Sequence, residues 1–231
     1  MKKIKNPLIR RIPKELIGDW KKYLVVFLFL VLTIGFVSGM YVANESMITS
    51  ANEGVTKYKQ EDGHFELKKQ ADATLLSAIE TGEKADFKAT KTTLYENFFR
   101  NEEEDYNNDG KKDGTIRVFA KTKDIDLACM LQGSFPQKAD EIAIDRMHAD
   151  NVGIKVGDTV TVSGETYKVV GLLAYVNYST LHEKTTDLMF DALKFDVAMV
   201  TQDGFDRLHK SIHYTYAWKY ETEPADEAGE K

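Results

Sequence analysis

The sequence predicts an α+β body set behind one long apolar helix. Three observations carry that prediction. The 21-residue run YLVVFLFLVLTIGFVSGMYVA, Tyr23 to Ala43, holds no charged residue. Behind it, segments of strand and helix character follow one another without the regular βαβ alternation of a parallel sheet. Charge is also divided along the chain. Residues 1–22 carry eight Lys/Arg against Glu15 and Asp19, a net of +6, so the −6 of the whole chain leaves −12 for the remainder.

Taking the elements in order, the first is a basic segment, 1–22. PKELIGDW begins with Pro13, which suits the first turn of a helix. It places Leu16, Ile17 and Trp20 on one face, with Lys14, Lys21 and Lys22 towards the other. This is the pattern of an amphipathic helix lying at a membrane interface. Trp20, Lys21, Lys22 and Tyr23 are the expected interfacial anchors.

The apolar run 23–43 would reach about 31 Å as a helix, the hydrocarbon thickness of a bilayer. It exceeds the roughly 7–15 apolar residues of a signal-peptide core. The expectation is a retained transmembrane helix, although Val37-Ser38-Gly39 would suit a signal peptidase. Gly35 and Gly39, with Ser38 between, form a small-xxx-small face on which another membrane helix can pack closely. The basic side belongs in the cytoplasm by the positive-inside rule, which puts 44–231 outside.

The next stretch, NESMITSANEGVTKYKQ, can prolong the helix as a stalk, with Met47, Ile48, Ala51 and Val55 at helical spacing. GHFEL (63–67) predicts a strand, and ADATLLSAIETG (71–82) a helix ended by Gly82. FKATKTTLYENFF (87–99), TIRVFA (115–120) and DLACML (126–131) follow as strand candidates. EIAI predicts a short strand and DRMHADN a helix capped by Asp145. VGIKVGDTVTV, the turn SGET and YKVVGLL predict a hairpin. LMFDALKFDVAMVT (188–201) predicts a helix or strand and then a buried strand, and DGFDRLHKSIH (203–213) a helix. The acidic tail 221–231 lacks core residues and is expected to be disordered.

Candidate sites are few. Cys129 is the only cysteine, which excludes an intrachain disulfide and reads as a small core residue. In DYNNDGKKDG, residues Asp105, Asn107, Asp109, Gly110 and Asp113 match positions of a calcium loop. The bidentate acid that such a loop needs at its end is replaced by Ile116. A surface turn is the favoured reading, and the body is expected to fold without metal. His209 and His213 would be helical neighbours one turn apart but lack further ligands, with Asp206 fitting a cap or solvent role. His64, His148 and His182 are scattered. YVNYSTLHEK (175–184) places Tyr residues either in a β-rich core or at an interface. No catalytic or nucleotide-binding motif is present, so neither an enzyme nor a cofactor is expected. The acidic body argues against nucleic acid, and membrane lipid is the expected surrounding of the apolar run.

Four features together resemble the FtsX-like permease family, of the MacB type, within the ABC transporters. They are the start RRIPKELIGDWKKYLVVFLFLVLTIGFVSGM, the outward stalk, the segment GSFPQKADEIAID, and NVGIKVGDTVTVSGETYKVVGLL. The resemblance implies a permease that binds no ATP itself and works with a separate cytoplasmic ABC ATPase subunit. Its further membrane helices or a second permease copy would be partners, and its outer domain would relay motion to a substrate or partner. That family places a second membrane helix after the outer domain, and these 231 residues contain none. The expectation is a piece of a longer permease or a truncated gene. The alternative is a single-span anchored binding or sensor module without a transport role. A Lys-rich acidic exterior without disulfides suits a bacterial surface.

Overall fold

The structure is a computed structural model that describes residues 17–81, 92–178, 180–184 and 186–222. It is an α+β chain of two units, one through Glu53 and one from Gly54. Most of the basic segment, the end of the second predicted helix and the acidic tail from 223 lie outside the described residues.

Helix α1, Trp20–Lys57, runs 38 residues without a break and buries no residue. It contains the whole charge-free run and is long and apolar enough to cross a membrane. Within that run the Thr33 hydroxyl donates to the Phe29 carbonyl at 2.8 Å, which satisfies it inside the helix. The C-terminal end is a Schellman turn. Gln60 N donates to the Val55 carbonyl at 3.0 Å, while Lys59 takes the left-handed conformation (φ 50°) that a glycine usually fills.

The second unit holds two sheets. Strands β1 (Gly63–Leu67) and β2 (Thr92–Glu96) flank β10 (Tyr214–Tyr220) in a small antiparallel sheet. Helix α2 (Ala73–Thr81) follows β1, and Asp72 caps it by accepting from Leu75 N at 2.8 Å. The larger sheet comprises β3 (Phe99–Asp105), β4 (Gly114–Ala120), β5 (Cys129–Gly133), β6 (Glu141–Asp145), β7 (Thr159–Val162), β8 (Glu165–Ala174) and β9 (Phe195–Val200). Its order is β5-β8-β6-β9-β4-β3-β7, and β7 pairs again with β8. Six strands therefore close into a ring, with β5 added outside against β8.

Alternation along the strands divides the core in two. Ile116, Val118, Ile142, Ile144, Val160 and Val162 pack with their neighbours on one face of these strands. Phe119, Ala143, Leu173, Val197 and Met199 pack on the other, under the segment that begins at Tyr175. With both faces covered, β9 is buried at all six positions, as its apolar run FDVAMV requires.

The two segments that carry the family resemblance fold as adjacent structures. In GSFPQKADEIAID, Gly133 ends β5 in a left-handed conformation (φ 78°), and an added Cβ would lie 2.2 Å from the Val170 carbonyl. Only glycine fits such an approach. In the hairpin, Ser163 and Gly164 both have positive φ, the two-residue turn that matches strand twist.

Several predicted elements differ from those observed. The expected helix 203–213 is only α4, Gln202–Asp206, after α3 (Arg146–Val152). Its apolar residues Phe205 and Leu208 are drawn into the core, and the chain then extends towards β10. DLACML yields β5 shifted to Cys129–Gly133, because 126–127 instead bond back to Tyr58 and Lys59. Residues 188–194 form turns before β9 rather than a helix or strand. Leu188 and Met189 there are 98% and 85% exposed, whereas Ala192 joins the core.

Candidate functional site

A cleft of about 690 Å³ opens between β1 and the β3–β4 pair. Arg117 of β4 organises its wall. Its guanidinium donates to Asn101 Oδ1 (3.0 Å), to the Tyr178 hydroxyl (2.9 Å) and to the Glu183 carbonyl (2.9 Å). It also lies over the Phe99 ring at 4.4 Å. These bonds fasten a short 3₁₀ turn, Val176–Tyr178, and its following segment to the sheet. Phe99 stacks on its other neighbour, the His213 ring, at 4.6 Å, and His213 Nδ1 meets Glu66 Oε1 at 2.8 Å. Asn177 Oδ1, His182 Nδ1 and Thr215 Oγ1 line the cleft without a hydrogen-bond partner among the described residues.

A polar cluster adjoins the cleft. Asp126 accepts from Glu61 N and from Asn97 Nδ2, each at 3.0 Å. Glu61 Oε1 in turn meets His64 Nδ1 at 2.5 Å. Burial, with the neighbouring Glu61 charge adding, pushes the Asp126 carboxyl up to about 7. The hydrogen bond to Glu61 raises the His64 pKa. The cluster also receives the end of the stalk, since Asp126 N and Leu127 N donate to the Lys59 and Tyr58 carbonyls.

A second cluster is wholly buried. Glu104 on β3, Asp196 on β9 and His148 on α3 bring one ligand atom each to within 4.8 Å of one another. The register explains the meeting. Glu102 of β3 pairs with Ile116 of β4, Glu104 pairs with Gly114, and Asp196 pairs with Ile116 from the opposite side. Both carboxylates therefore share the face of Ile116 and Val118. Asp145 supplies the third partner by capping α3, accepting from Met147 N (2.7 Å) and His148 N (3.4 Å). His148 Nδ1 meets the Ala192 carbonyl at 2.7 Å, and its Nε2 lies 3.4 Å from Glu104 Oε1.

Burial alone would lower the His148 pKa, but the Asp196 and Glu104 carboxylates outweigh it and hold it at about 9. Asp196 is pushed well above the usual carboxylate range by its burial. His148 opposes that rise, while Glu104 and Asp145 add to it.

The residues singled out from the sequence lie elsewhere. Trp20, Lys21, Lys22 and Tyr23 form the start of α1, exposed, with Lys22 Nζ 3.1 Å from Asp19. Gly35, Ser38 and Gly39 lie along α1, and a Cβ at either glycine meets nothing within 4 Å. The calcium-like loop joins β3 to β4 as a turn. Asp105 accepts from Asp109 N (3.1 Å) and Gly110 N (2.8 Å), Asn107 from Asp109 N (2.9 Å), and Asp109 from Lys111 N (2.9 Å). Asp113 Oδ1 is met by Asn107 Nδ2 at 3.4 Å. Ile116 is fully buried in β4, so it cannot be replaced functionally by an approaching acid without opening the core.

His209 and His213 share no helix. His209 is exposed and His213 is the half-buried partner of Phe99 and Glu66. Cys129 is half-buried rather than core, its thiol 2.8 Å from the Tyr58 hydroxyl. Tyr175 is core, as a β-rich interior predicts, whereas Tyr178 faces the cleft. Sequence reading missed the Glu104–His148–Asp196 cluster. FRNEEED looks like solvated charge, and only the alternation of Glu102 and Glu104 hints that one face of it turns inward.

No family model matches the chain, and no curated protein matches its sequence. Several solved structures are similar, among them the following two. One is the periplasmic region of MacB from Actinobacillus actinomycetemcomitans, 8% identical over 66% of this chain and 68% of that one, with a TM-score of 0.38. The other is the extracellular domain of the noncanonic ABC-type transporter YknZ from Gram-positive bacteria. It is 13% identical over 69% of this chain and 84% of that one, with a TM-score of 0.36.

Proposed function

We propose that this chain is the N-terminal part of an ABC transporter permease subunit of the FtsX-like, MacB type. Its body stands outside the membrane and relays motion driven by a separate ATPase to a substrate or partner. It acts as a mechanical part, not as an enzyme. The observation that carries the reading is α1. One helix holds the charge-free run and continues without a break to Lys57. The residues that follow are hydrogen-bonded into the body through Tyr58 and Lys59. An anchor alone needs no such continuation, because a flexible linker would tether a domain equally well. A lever does need it. The family segments at Gly133 and at the 159–174 hairpin support the same reading.

The cleft beside Arg117 favours a second reading, a single-span module that binds a ligand there. Affinity purification of the tagged chain from detergent-solubilised native membranes separates the two. The permease reading expects an ATP-binding-cassette subunit in stoichiometric amount and vanadate-sensitive ATP hydrolysis in the eluate. A chain that elutes without ATPase activity contradicts it and leaves the binding module.

A further inference from the structure

We propose that Glu104, His148 and Asp196 form a site for one divalent transition-metal ion, with zinc as the favoured occupant. The proposal is independent of the transport reading. It also departs from the expectation that the body folds without metal, which rests on Ile116 in the calcium-like loop.

The donor set is one imidazole nitrogen and two carboxylates, the combination borderline divalent ions take. Two carboxylates and a neutral imidazole carry the charge that balances such an ion. The orientation of His148 is that of a ligand. A metal-bound histidine donates its other ring N–H to a carbonyl or carboxylate, which fixes the tautomer. Here Nδ1 is bonded to the Ala192 carbonyl, leaving Nε2 directed at the carboxylates. Asp196 is held likewise. Its Oδ1 accepts from Val197 N (2.7 Å) and Asp145 N (3.2 Å), which leaves Oδ2 free.

The unpartnered atoms converge. His148 Nε2 faces Glu104 Oε1 at 3.4 Å, and Glu104 Oε2 and Asp196 Oδ2 are buried without a partner among the described residues. All three side chains are fully buried. Buried polar groups in folded proteins are nearly always satisfied, so two unpartnered carboxylate oxygens beside one imidazole call for a missing partner. Three atoms within 4.8 Å of one another fit within roughly 2.8 Å of a common centre. A shift of about 0.6–0.8 Å at most brings each to the bond length of about 2.0–2.2 Å that zinc takes.

An approach is also visible. Tyr106 lines a surface depression of about 430 Å³, and its ring edge meets the His148 imidazole at 5.8 Å. Tyr106 therefore packs between that depression and His148. An ion there would tie α3 to β3 and β9.

The test uses the full chain in detergent, stripped with dipicolinate and titrated with zinc chloride. One zinc per chain should bind. At about a hundredfold excess over Kd, the melting temperature of the body should rise by about 5–10 °C. Asp196→Asn and Glu104→Gln keep the side-chain size, and each should weaken binding about 100-fold or more. Asp105→Asn, in the β3–β4 turn, should bind like the parent chain. Cobalt(II) gives a readout that needs no variant, since a low-coordinate site yields visible d–d bands that zinc abolishes. The proposal is overturned by substoichiometric zinc in the parent chain, by the absence of cobalt bands, or by a folded Asp196→Asn chain of undiminished affinity.

Discussion

Asp126 joins chemistry to stability most directly. Its carboxyl is raised to about 7 by burial and by Glu61, with His64 and Arg117 also close. An unfolded aspartate titrates near 4. Between these values the folded body holds a proton that the unfolded chain has released, so stability falls as pH rises through the window and levels off above it. His64, with its own pKa raised, contributes in the same direction near neutrality. The expected loss is roughly 2–3 kcal/mol between about pH 5 and about pH 7.5. Urea unfolding across this range measures it. Asp126→Asn should lower the slope, with Asp196, Asp145 and His148, whose pKa values are also raised, supplying the remainder, and an unchanged slope would assign it wholly to those groups. Gly133 offers a steric counterpart. Its Cβ-less carbon approaches the Val170 carbonyl at positive φ. Gly133→Ala should cost about 2–3 kcal/mol in the same experiment, and a loss below about 0.5 kcal/mol would mean that the corner yields easily.

Among the elements, α1 carries the next prediction. Gly35 and Gly39 face open space within the single chain, so larger side chains meet no obstacle there. Replacing both with Leu should leave membrane insertion intact and weaken assembly with other permease helices, because close backbone approach is lost. Blue-native electrophoresis reads the assembly, and a double variant that assembles fully would make the glycines incidental.

The elements also show what sequence alone conveys. GHFEL, EIAI, the capped helix at Asp145 and the SGET hairpin were legible because their signals are local: alternation, a cap, a two-residue turn. Strand β3 was not, because its inward Glu102 and Glu104 are satisfied or held only by distant partners. Glu102, for example, accepts from Lys210 N at 2.9 Å. The helix expected at 203–213 failed because Phe205 and Leu208 are claimed by the core. The cleft and the buried cluster depend on register between strands far apart in sequence, and no local pattern encodes that.

In the protein as a unit of function, the ring of six strands and the small sheet make the body of the second unit. β1 follows the helix directly, and β10, the last strand, pairs with it. The reading stands on one claim, that α1 is a retained membrane helix with its basic side in the cytoplasm and the body outside. Cysteine labelling of intact cells tests it most directly. Cys129 is first replaced by Ser, and single cysteines are introduced as Lys22→Cys and Asp150→Cys, both at exposed positions. A membrane-impermeant maleimide should label position 150 in intact cells and position 22 only after lysis, on a protein that remains in the membrane fraction at full length. Labelling at 22 but not at 150, or a mature chain that begins near Met40, would contradict the account.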